Sequence, residues 1–341
     1  MRDLPFICVG MEAPAASEPV AAEGSTATAS AIVAFLHEHG LSIDRWACPD
    51  LSEQLRLALT RGVDVVLCNA LDSEPDAPLS ATLLRSCRQD VLRGLRAVAA
   101  AVRAARCLIA VGRELDPAVF PTSRRAADNP QVVRLLSSYP QSHPTLLIQT
   151  TLHRALLPGR LPTERGVLVI DAPAAFVLGR WVGGFQPVAV PLCVRDDRSA
   201  AVTLALSLPR LTVGDLLARL GLAMDRQTVL ICGPKLRKQQ LPREAPVGAV
   251  DPVLRVCRIV APRASDICTR CNWCADICPV DLLPMMALEA AQFGDARAAE
   301  RAGVRRCIAC GLCDYVCPSR LPLMAAVQLG QAQLRAGVSG D

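Results

Sequence analysis

Residues 268–279 read CTRCNWCADICP, in which four cysteines follow the spacing C-x2-C-x2-C-x3-C and a proline closes the motif. A second stretch with the same spacing, CIACGLCDYVCP, spans residues 307–318. This spacing is typical of [4Fe–4S] sites, in which a tight turn supplies three thiolates and a more distant cysteine supplies the fourth. Two copies of the motif therefore predict two [4Fe–4S] clusters in this chain.

The expected ligand sets exchange one cysteine between the motifs, because in two-cluster proteins with this spacing the fourth cysteine ligates the other cluster. The first cluster is predicted to bind Cys268, Cys271, Cys274 and Cys317. The second cluster is predicted to bind Cys307, Cys310, Cys313 and Cys278. Structural zinc is the alternative, but zinc sites favour paired C-x2-C units separated by a long gap.

Composition indicates a folded protein that does not bind nucleic acid. The chain has 341 residues, which is long enough for two or three domains. Hydrophobic residues make up 51% and charged residues 20%, as in globular proteins. Aromatic residues make up only 3%, and the basic residues are scattered, so platforms for stacking bases are scarce.

We expect neither a membrane span nor a signal peptide. No uncharged apolar run reaches the length of a membrane span, and the N-terminal MRDLPFICVG has too short an apolar core for a signal peptide. We therefore expect a cytoplasmic protein, in which disulfides are disfavoured. The eight cysteines outside the motifs are dispersed among apolar residues and are interpreted as small buried side chains.

The N-terminal half alternates between strand-like and helix-like patterns. Apolar runs at 63–69, 106–112 and 166–172 predict buried strands, and 80–105 predicts a long amphipathic helix. Such alternation indicates an α/β domain with a largely parallel sheet, which we assign to residues 1–184. Residues 12–30, rich in small residues and containing prolines, predict a loop.

The remaining chain divides into two further predicted domains. Residues 185–248 show the order strand, strand, helix, strand, which suits a small β-grasp module. Residues 249–341 are predicted to form an all-α domain around the cysteine motifs, because the spacer between Cys278 and Cys307 is long enough for a whole helix.

Both cysteine motifs, with their flanks CTRCNWCADICPVDLLP and CIACGLCDYVCPSRLPL, resemble the C-terminal part of the Rnf electron-transport complex C subunit. They are also similar to the cobalamin reductase of propanediol microcompartments. Upstream, CNALDSEPDAP (68–78) resembles a Glu-Pro segment that this family shares with the NADH-binding flavoprotein subunit of respiratory complex I. The resemblance implies a complex I flavoprotein-like fold for the first domain and a helical ferredoxin fold for the last.

The family binds FMN and accepts electrons from a nicotinamide nucleotide, but the corresponding segments differ here. VGMEAPAAS (9–17) matches the family's glycine-rich phosphate loop, yet it retains only one glycine and introduces Glu12 and Pro14, which oppose anion binding. Ser142-His143-Pro144 replaces the family's Gly-Gly-Glu. We therefore expect no FMN, and we interpret Asn69 and Glu74 as remnants of a flavin site.

The predicted function is iron–sulfur electron transfer between a redox donor and a partner complex or enzyme. We favour an electron-transfer subunit over a stand-alone enzyme and assign no catalytic residue. Expected partners are a flavoprotein, a ferredoxin or a reductase subunit, with peripheral docking at the inner face of a membrane or in a microcompartment. Two alternatives stay open: an active NAD(P)H-dependent FMN reductase of the same family, and a structural subunit whose clusters are not reducible.

Overall fold

The computed structural model describes residues 5–10, 27–120, 130–261 and 264–338, with side chains up to residue 335. The chain divides into two compact units. Unit 1 comprises Met1–Leu156 with Leu161–Ile259, and unit 2 comprises Leu157–Arg160 with Val260–Asp341. Residues 11–26 lie outside the described residues. They include most of the predicted loop at 12–30, and residues 11–17 of the segment that was matched to the flavin phosphate loop.

Unit 1 contains two sheets and the helices that cover them. Its elements in chain order are β1 (Phe6–Val9), α1 (Ala29–Glu38), α2 (Leu51–Arg61), β2 (Val65–Ala70), α3 (Leu79–Ser86), α4 (Arg88–Ala101), β3 (Arg106–Gly112), β4 (Gln131–Leu135), α5 (Pro144–Leu152), β5 (Val167–Asp171), α6 (Ala172–Val182), β6 (Val190–Asp196), β7 (Ala201–Ser207), α7 (Val213–Arg219), β8 (Thr228–Cys232) and β9 (Val253–Arg258).

The first sheet is parallel and has the strand order β4-β3-β2-β5. Strands β2 and β5 are buried at every residue, as expected for strands covered by helices on both faces. The predicted α/β fold is therefore confirmed, although β4 was not predicted. The helix expected over 80–105 is two helices, because Cys87, with φ of −130° and ψ of 29°, leaves the helical conformation between α3 and α4.

The second sheet is mixed and has the strand order β1-β7-β6-β9-β8. The hairpin β6–β7 and the pair β8–β9 are antiparallel, whereas β6 and β9 run parallel at the centre and β1 adds parallel to β7. Strand β9 falls within the segment expected to be helical from residue 249. It forms a strand there that pairs with β6 and β8, and in this position Leu254 and Val256 are buried, at 1% and 0% exposed.

Unit 2 is helical apart from the loops that carry the cysteines. Its helices are α8 (Trp273–Asp276), α9 (Pro284–Phe293), α10 (Ala296–Arg301), α11 (Leu312–Val316) and α12 (Leu323–Val338). Small buried residues of α9 and α10 pack with Val327 of α12, and together they form the hydrophobic core of unit 2. Within the described parts of the chain, no helix combines the length and the apolar character needed to cross a bilayer.

Helices α4 and α6 cross with their backbones in direct contact at two glycines. A Cβ atom added at Gly94 would lie 1.9 Å from the carbonyl oxygen of Ala175. One added at Gly179 would lie 1.7 Å from the carbonyl oxygen of Asp90. Because both obstacles are backbone atoms, neither can rotate away, and the crossing of these helices requires glycine at both positions.

Replacing Gly94 by alanine should therefore destabilise unit 1. The added methyl group must push α4 away from α6, and overpacking of this kind costs about 1–3 kcal/mol. Chemical denaturation followed by circular dichroism measures the change. The control is Gly214→Ala in α7, where the nearest atom to the new Cβ would be 3.3 Å away, and where better helix propensity should offset any crowding. Equal stability of Gly94→Ala and the wild type would contradict the crossing.

Candidate metal centre

The two cysteine motifs adopt the same backbone conformation. Two positions in each motif and one position just after it have positive φ, which is uncommon outside glycine. The equivalent pairs are Arg270 (56°) with Ala309 (54°), Asn272 (65°) with Gly311 (76°), and Asp281 (51°) with Arg320 (53°). Every pair is separated by the same interval as Cys268 and Cys307. The repeated sequence therefore winds into two copies of one loop.

Each loop directs backbone N–H groups at cysteine sulfur atoms. In the first motif, the N–H of Arg270 donates to Cys268 Sγ and that of Leu282 to Cys278 Sγ, both at 3.4 Å. In the second motif, the N–H groups of Ala309 and Leu321 donate to Cys307 Sγ at 3.3 Å and to Cys317 Sγ at 3.4 Å. Such donors favour negative charge on sulfur, which is the state that a metal-bound thiolate requires.

The eight motif cysteines line two separate cavities. The first cavity is lined by Cys268, Cys271, Cys274 and Cys317. The second is lined by Cys278, Cys307, Cys310 and Cys313. Each cavity thus receives three cysteines from one motif and the fourth from the other motif.

The geometry of these thiols does not suit a single zinc ion. A structural zinc site needs four ligands at about 2.0–2.3 Å from one ion. Among the described residues, no three His, Cys, Asp or Glu side chains converge closely enough to hold one metal ion. Four thiols arranged around a cavity fit the larger [4Fe–4S] core, whose four irons each take one cysteine.

The two cavities differ in their exposure. Cys271 in the first cavity is exposed, whereas Cys310 in the second is buried. Burial raises the pKa of the Cys307 thiol to about 11, and burial together with the neighbouring Asp314 carboxylate raises the pKa of Cys313 further. Both thiols are therefore protonated at neutral pH before metal binds, and binding has to displace those protons.

Asn69 lies at the carboxyl end of β2, where its side chain is buried and bonded to protein. Its amide N–H group donates to the carbonyl oxygens of Ala47 at 3.0 Å and Ser142 at 2.7 Å. The Ser142 hydroxyl in turn accepts from the indole N–H of Trp46 at 2.9 Å and lies 2.8 Å from the Ser73 hydroxyl. Ser142 stands where the resembling family has glycine, and here it connects three segments of unit 1.

Glu74 lies in the loop between β2 and α3 and enters a charged network. Its carboxylate pairs with the guanidinium of Arg255, which is only 1% exposed, and accepts the N–H of Lys235 at 2.9 Å. Arg255 also contacts Asp76 at 2.7 Å and Asp197 at 2.9 Å. Sequence reasoning missed this network, because Arg255 was assigned to the predicted all-α domain and the acids that compensate it lie 58, 179 and 181 residues away.

This network gives Glu74 a structural role within unit 1. A buried guanidinium is costly unless several acids compensate it, and here Glu74, Asp76 and Asp197 all do. Although burial opposes it, Lys235 and Arg255 hold the pKa of Asp197 below its ordinary value. Glu74 thereby joins the loop after β2, in the parallel sheet, to β9 in the mixed sheet. This structural role accounts for Glu74 without reference to a cofactor.

Comparisons with known proteins match both units. Residues 51–178 match the model of the Nuo51 FMN-binding domain, and residues 262–318 match that of the 4Fe-4S dicluster domain. The C subunit of the ion-translocating oxidoreductase complex of Vibrio cholerae is 26% identical over 274 residues, which cover 75% of this chain and 34% of the relative. The Erwinia tasmaniensis C subunit is 27% identical over 282 residues, 78% of this chain and 34% of the relative. The predicted resemblance to the Rnf complex C subunit is confirmed.

This chain spans about a third of the length of these relatives. Among solved structures, an NAD+-reducing [NiFe]-hydrogenase in the H2-reduced state superposes with a TM-score of 0.53 and 16% identity. The match covers 92% of this chain and 62% of the hydrogenase chain, and it supports the fold alone. The matches together identify a flavoprotein-like α/β domain and an iron–sulfur electron-transfer domain.

Our expectation that the chain binds no FMN is wrong, because residues 51–178 match the model of an FMN-binding domain. The match begins after the segment on which that expectation chiefly depended, residues 9–17. Asn69 and Glu74 have their polar atoms bonded to protein in this structure. As placed, these two side chains do not fit a flavin contact.

Next to Ser142, His143 caps α5 by accepting the N–H of Thr145 at 3.2 Å, and its ring packs edge-on against Trp46 at 4.7 Å. Desolvation, with a smaller contribution from Arg237, lowers the pKa of His143 to about 3. An unfolded histidine has a pKa of about 6.5. Between these values the unfolded chain binds a proton that the folded chain does not, so His143 costs stability as the pH falls from about 6.5 towards 3.

His143→Asn should flatten this acid dependence, since asparagine keeps a cap acceptor without a titrating ring. The measurement is the free energy of unfolding from denaturant curves at several pH values between about 4 and 7. Burial raises the pKa of both Asp72 and Asp251 to about 6, which acts in the opposite direction, so the difference between variant and wild type is the informative quantity. His153→Asn, at the exposed end of α5, is the control, and a pH-independent difference for His143→Asn would contradict this account.

Proposed function

We propose that the chain is an iron–sulfur electron-transfer subunit with two [4Fe–4S] clusters, which relay electrons between a redox donor and a partner complex. The observation that supports this most directly is the pair of cavities, each lined by four cysteines drawn from both motifs. Cys268, Cys271, Cys274 and Cys317 would hold one cluster, and Cys278, Cys307, Cys310 and Cys313 the other. The match to a dicluster domain supports the same number.

Redox subunits of a larger complex are the proposed partners. The relatives are named as the C subunit of ion-translocating oxidoreductase complexes, and each is about three times as long as the part matched here. We therefore propose that this chain passes electrons to or from neighbouring subunits and is peripheral to a membrane complex. No catalytic residue is proposed, because electron transfer requires positioning and tuning of the cofactors rather than bond chemistry by side chains.

We also propose that the second sheet of unit 1 is a β-grasp module. Counted locally, its strands β7-β6-β9-β8 have the order 2-1-4-3, with the first and last strands parallel at the centre and α7 between the second and third. This order supports the assignment. The module would then extend beyond residue 248 to include β9, and the predicted three-part division stays a proposal.

An NAD(P)H-dependent FMN reductase is the second candidate, favoured by the match of residues 51–178 to an FMN-binding domain. Protein purified from its native source can be extracted and its flavin measured by fluorescence. One FMN per chain, together with bleaching of the cluster absorption by NADH alone, would favour the reductase. Clusters that dithionite fails to reduce would instead favour a purely structural role.

The protein loaded anaerobically with iron and sulfide should contain about eight iron atoms per chain, as two [4Fe–4S] clusters require. Two triple variants test the exchange of the fourth ligand. Replacing Cys271, Cys274 and Cys317 by serine should remove one cluster and leave about four irons, the content of one cluster. Replacing Cys271, Cys274 and Cys278 by serine should disturb both clusters and leave fewer iron atoms than the first variant retains.

Iron assay and electron paramagnetic resonance after dithionite reduction measure the outcome. Cys87→Ser, outside the motifs at the break between α3 and α4, is the control and should retain the full iron content of the wild type. If the second triple variant retained one cluster while the first lost both, each motif would supply its own fourth cysteine. A wild-type chain with one zinc and no iron would refute the proposed function.

A further inference from the structure

This inference rests on the proposed function and concerns a difference between the two loops. Because the loops correspond residue by residue, each position in the first motif has an equivalent in the second. Cys274 corresponds to Cys313, and the residue that follows each of them differs in charge: Ala275 in the first motif and Asp314 in the second. Ala275 lines the first cavity beside its cysteine.

Asp314 is held beside Cys313, a cysteine of the second cavity, by a hydrogen bond from the backbone. Its Oδ1 atom accepts the N–H of Met324 in the first turn of α12 at 2.8 Å. The same oxygen lies 4.0 Å from Cys313 Sγ, and the residue is half-buried. Over the described part of the chain, no arginine, lysine or histidine forms an ion pair with this carboxylate, so its charge is not neutralised locally.

Two arginines lie just before the second motif, and each is bonded to a group other than Asp314. Arg305 pairs with Glu300 at 2.9 Å, and Arg306 donates to the carbonyl oxygen of Asp281 at 2.5 Å. Both arginines are exposed, so water and salt screen them more than the half-buried Asp314. The first cavity is lined by two charged residues of opposite sign, Arg270 and Glu289, and both are exposed. Asp276 in the first motif is also exposed and accepts from the Asn272 amide at 3.2 Å.

Reduction of a [4Fe–4S] cluster adds one electron and neither forms nor breaks a bond, so its potential depends on the charge and hydrogen bonds around it. Four N–H donors to sulfur occupy equivalent positions in the two loops. The backbone N–H of Met285 also bonds to Cys274, whereas its equivalent, Met324, bonds to Asp314 instead. The loops therefore differ in the burial of their cysteines and in the group that follows the third cysteine, which is charged only in the second motif. We propose that Asp314 lowers the reduction potential of the cluster at Cys278, Cys307, Cys310 and Cys313 relative to the other cluster. Asp314 acts as a tuning residue and not as a ligand.

The test is a potentiometric titration of the full-length, cluster-loaded protein with dithionite as reductant, followed by electron paramagnetic resonance. Asp314→Asn removes the charge but keeps the oxygen that accepts from Met324. One of the two reduction steps should move to higher potential while the other stays in place. The same substitution in the variant lacking Cys271, Cys274 and Cys317, which retains only the second cluster, should move its single remaining step.

Ala275→Asp provides the converse test at the equivalent position of the first motif. It should move the other reduction step to lower potential, and it decides the question if Asp314→Asn fails to load its cluster. Asp276→Asn is the control and should move neither step appreciably, because that carboxylate is exposed. Two normal reduction steps that do not respond to Asp314→Asn or to Ala275→Asp would overturn the inference and leave the proposed function intact. A wild type without reducible clusters would overturn both.

Discussion

A cube-shaped cluster needs four thiolates, and a tight C-x2-C-x2-C turn can supply only three of them. In unit 2 this constraint makes each loop depend on the other. The chain that leaves the first motif bonds to the chain that approaches the second, with the N–H of Leu283 donating to the carbonyl oxygen of Ala302 at 3.0 Å. The chain that leaves the second motif returns the contact, because the Ser319 hydroxyl donates to the carbonyl oxygen of Ile267 at 2.7 Å. These two links hold the loops side by side, in the register that brings the fourth cysteine of each motif to the opposite cavity.

Unit 2 also has a small apolar core. Half of the residues in its core cluster are alanines, such as Ala287 and Ala299, and they allow α9, α10 and α12 to approach closely. A core of this size stabilises a domain only weakly, and small domains usually need a metal or a covalent link as well. Cluster binding would supply that stabilisation, since metal-binding free energy in such domains is also folding free energy.

Sequence reasoning was most successful where the pattern is local. The strands near residues 65, 106 and 167, the strand, strand, helix, strand order after residue 185 and the helical spacer between the motifs all follow from hydrophobic periodicity. It failed for β9, because Arg255 interrupts the apolar pattern and its burial depends on acids distant in sequence. It also failed for FMN, because that expectation was based on changes in short segments, at residues 9–17 and 142–144, whereas the match to an FMN-binding domain extends over residues 51–178.

Because the two loops repeat one cysteine motif, the positions at which they differ indicate how their environments differ. The positive φ angles and the N–H donors to Cys268 and Cys307 repeat, so these features would give two bound clusters a similar environment. What does not repeat is the exposure of Cys271 against the burial of Cys310, and the alanine against the aspartate that follows the third cysteine of each motif. Two identical sites would have no preferred order of reduction. In the proposed electron-transfer role, charge and burial at the positions that differ between the motifs would therefore give electron flow through unit 2 a direction.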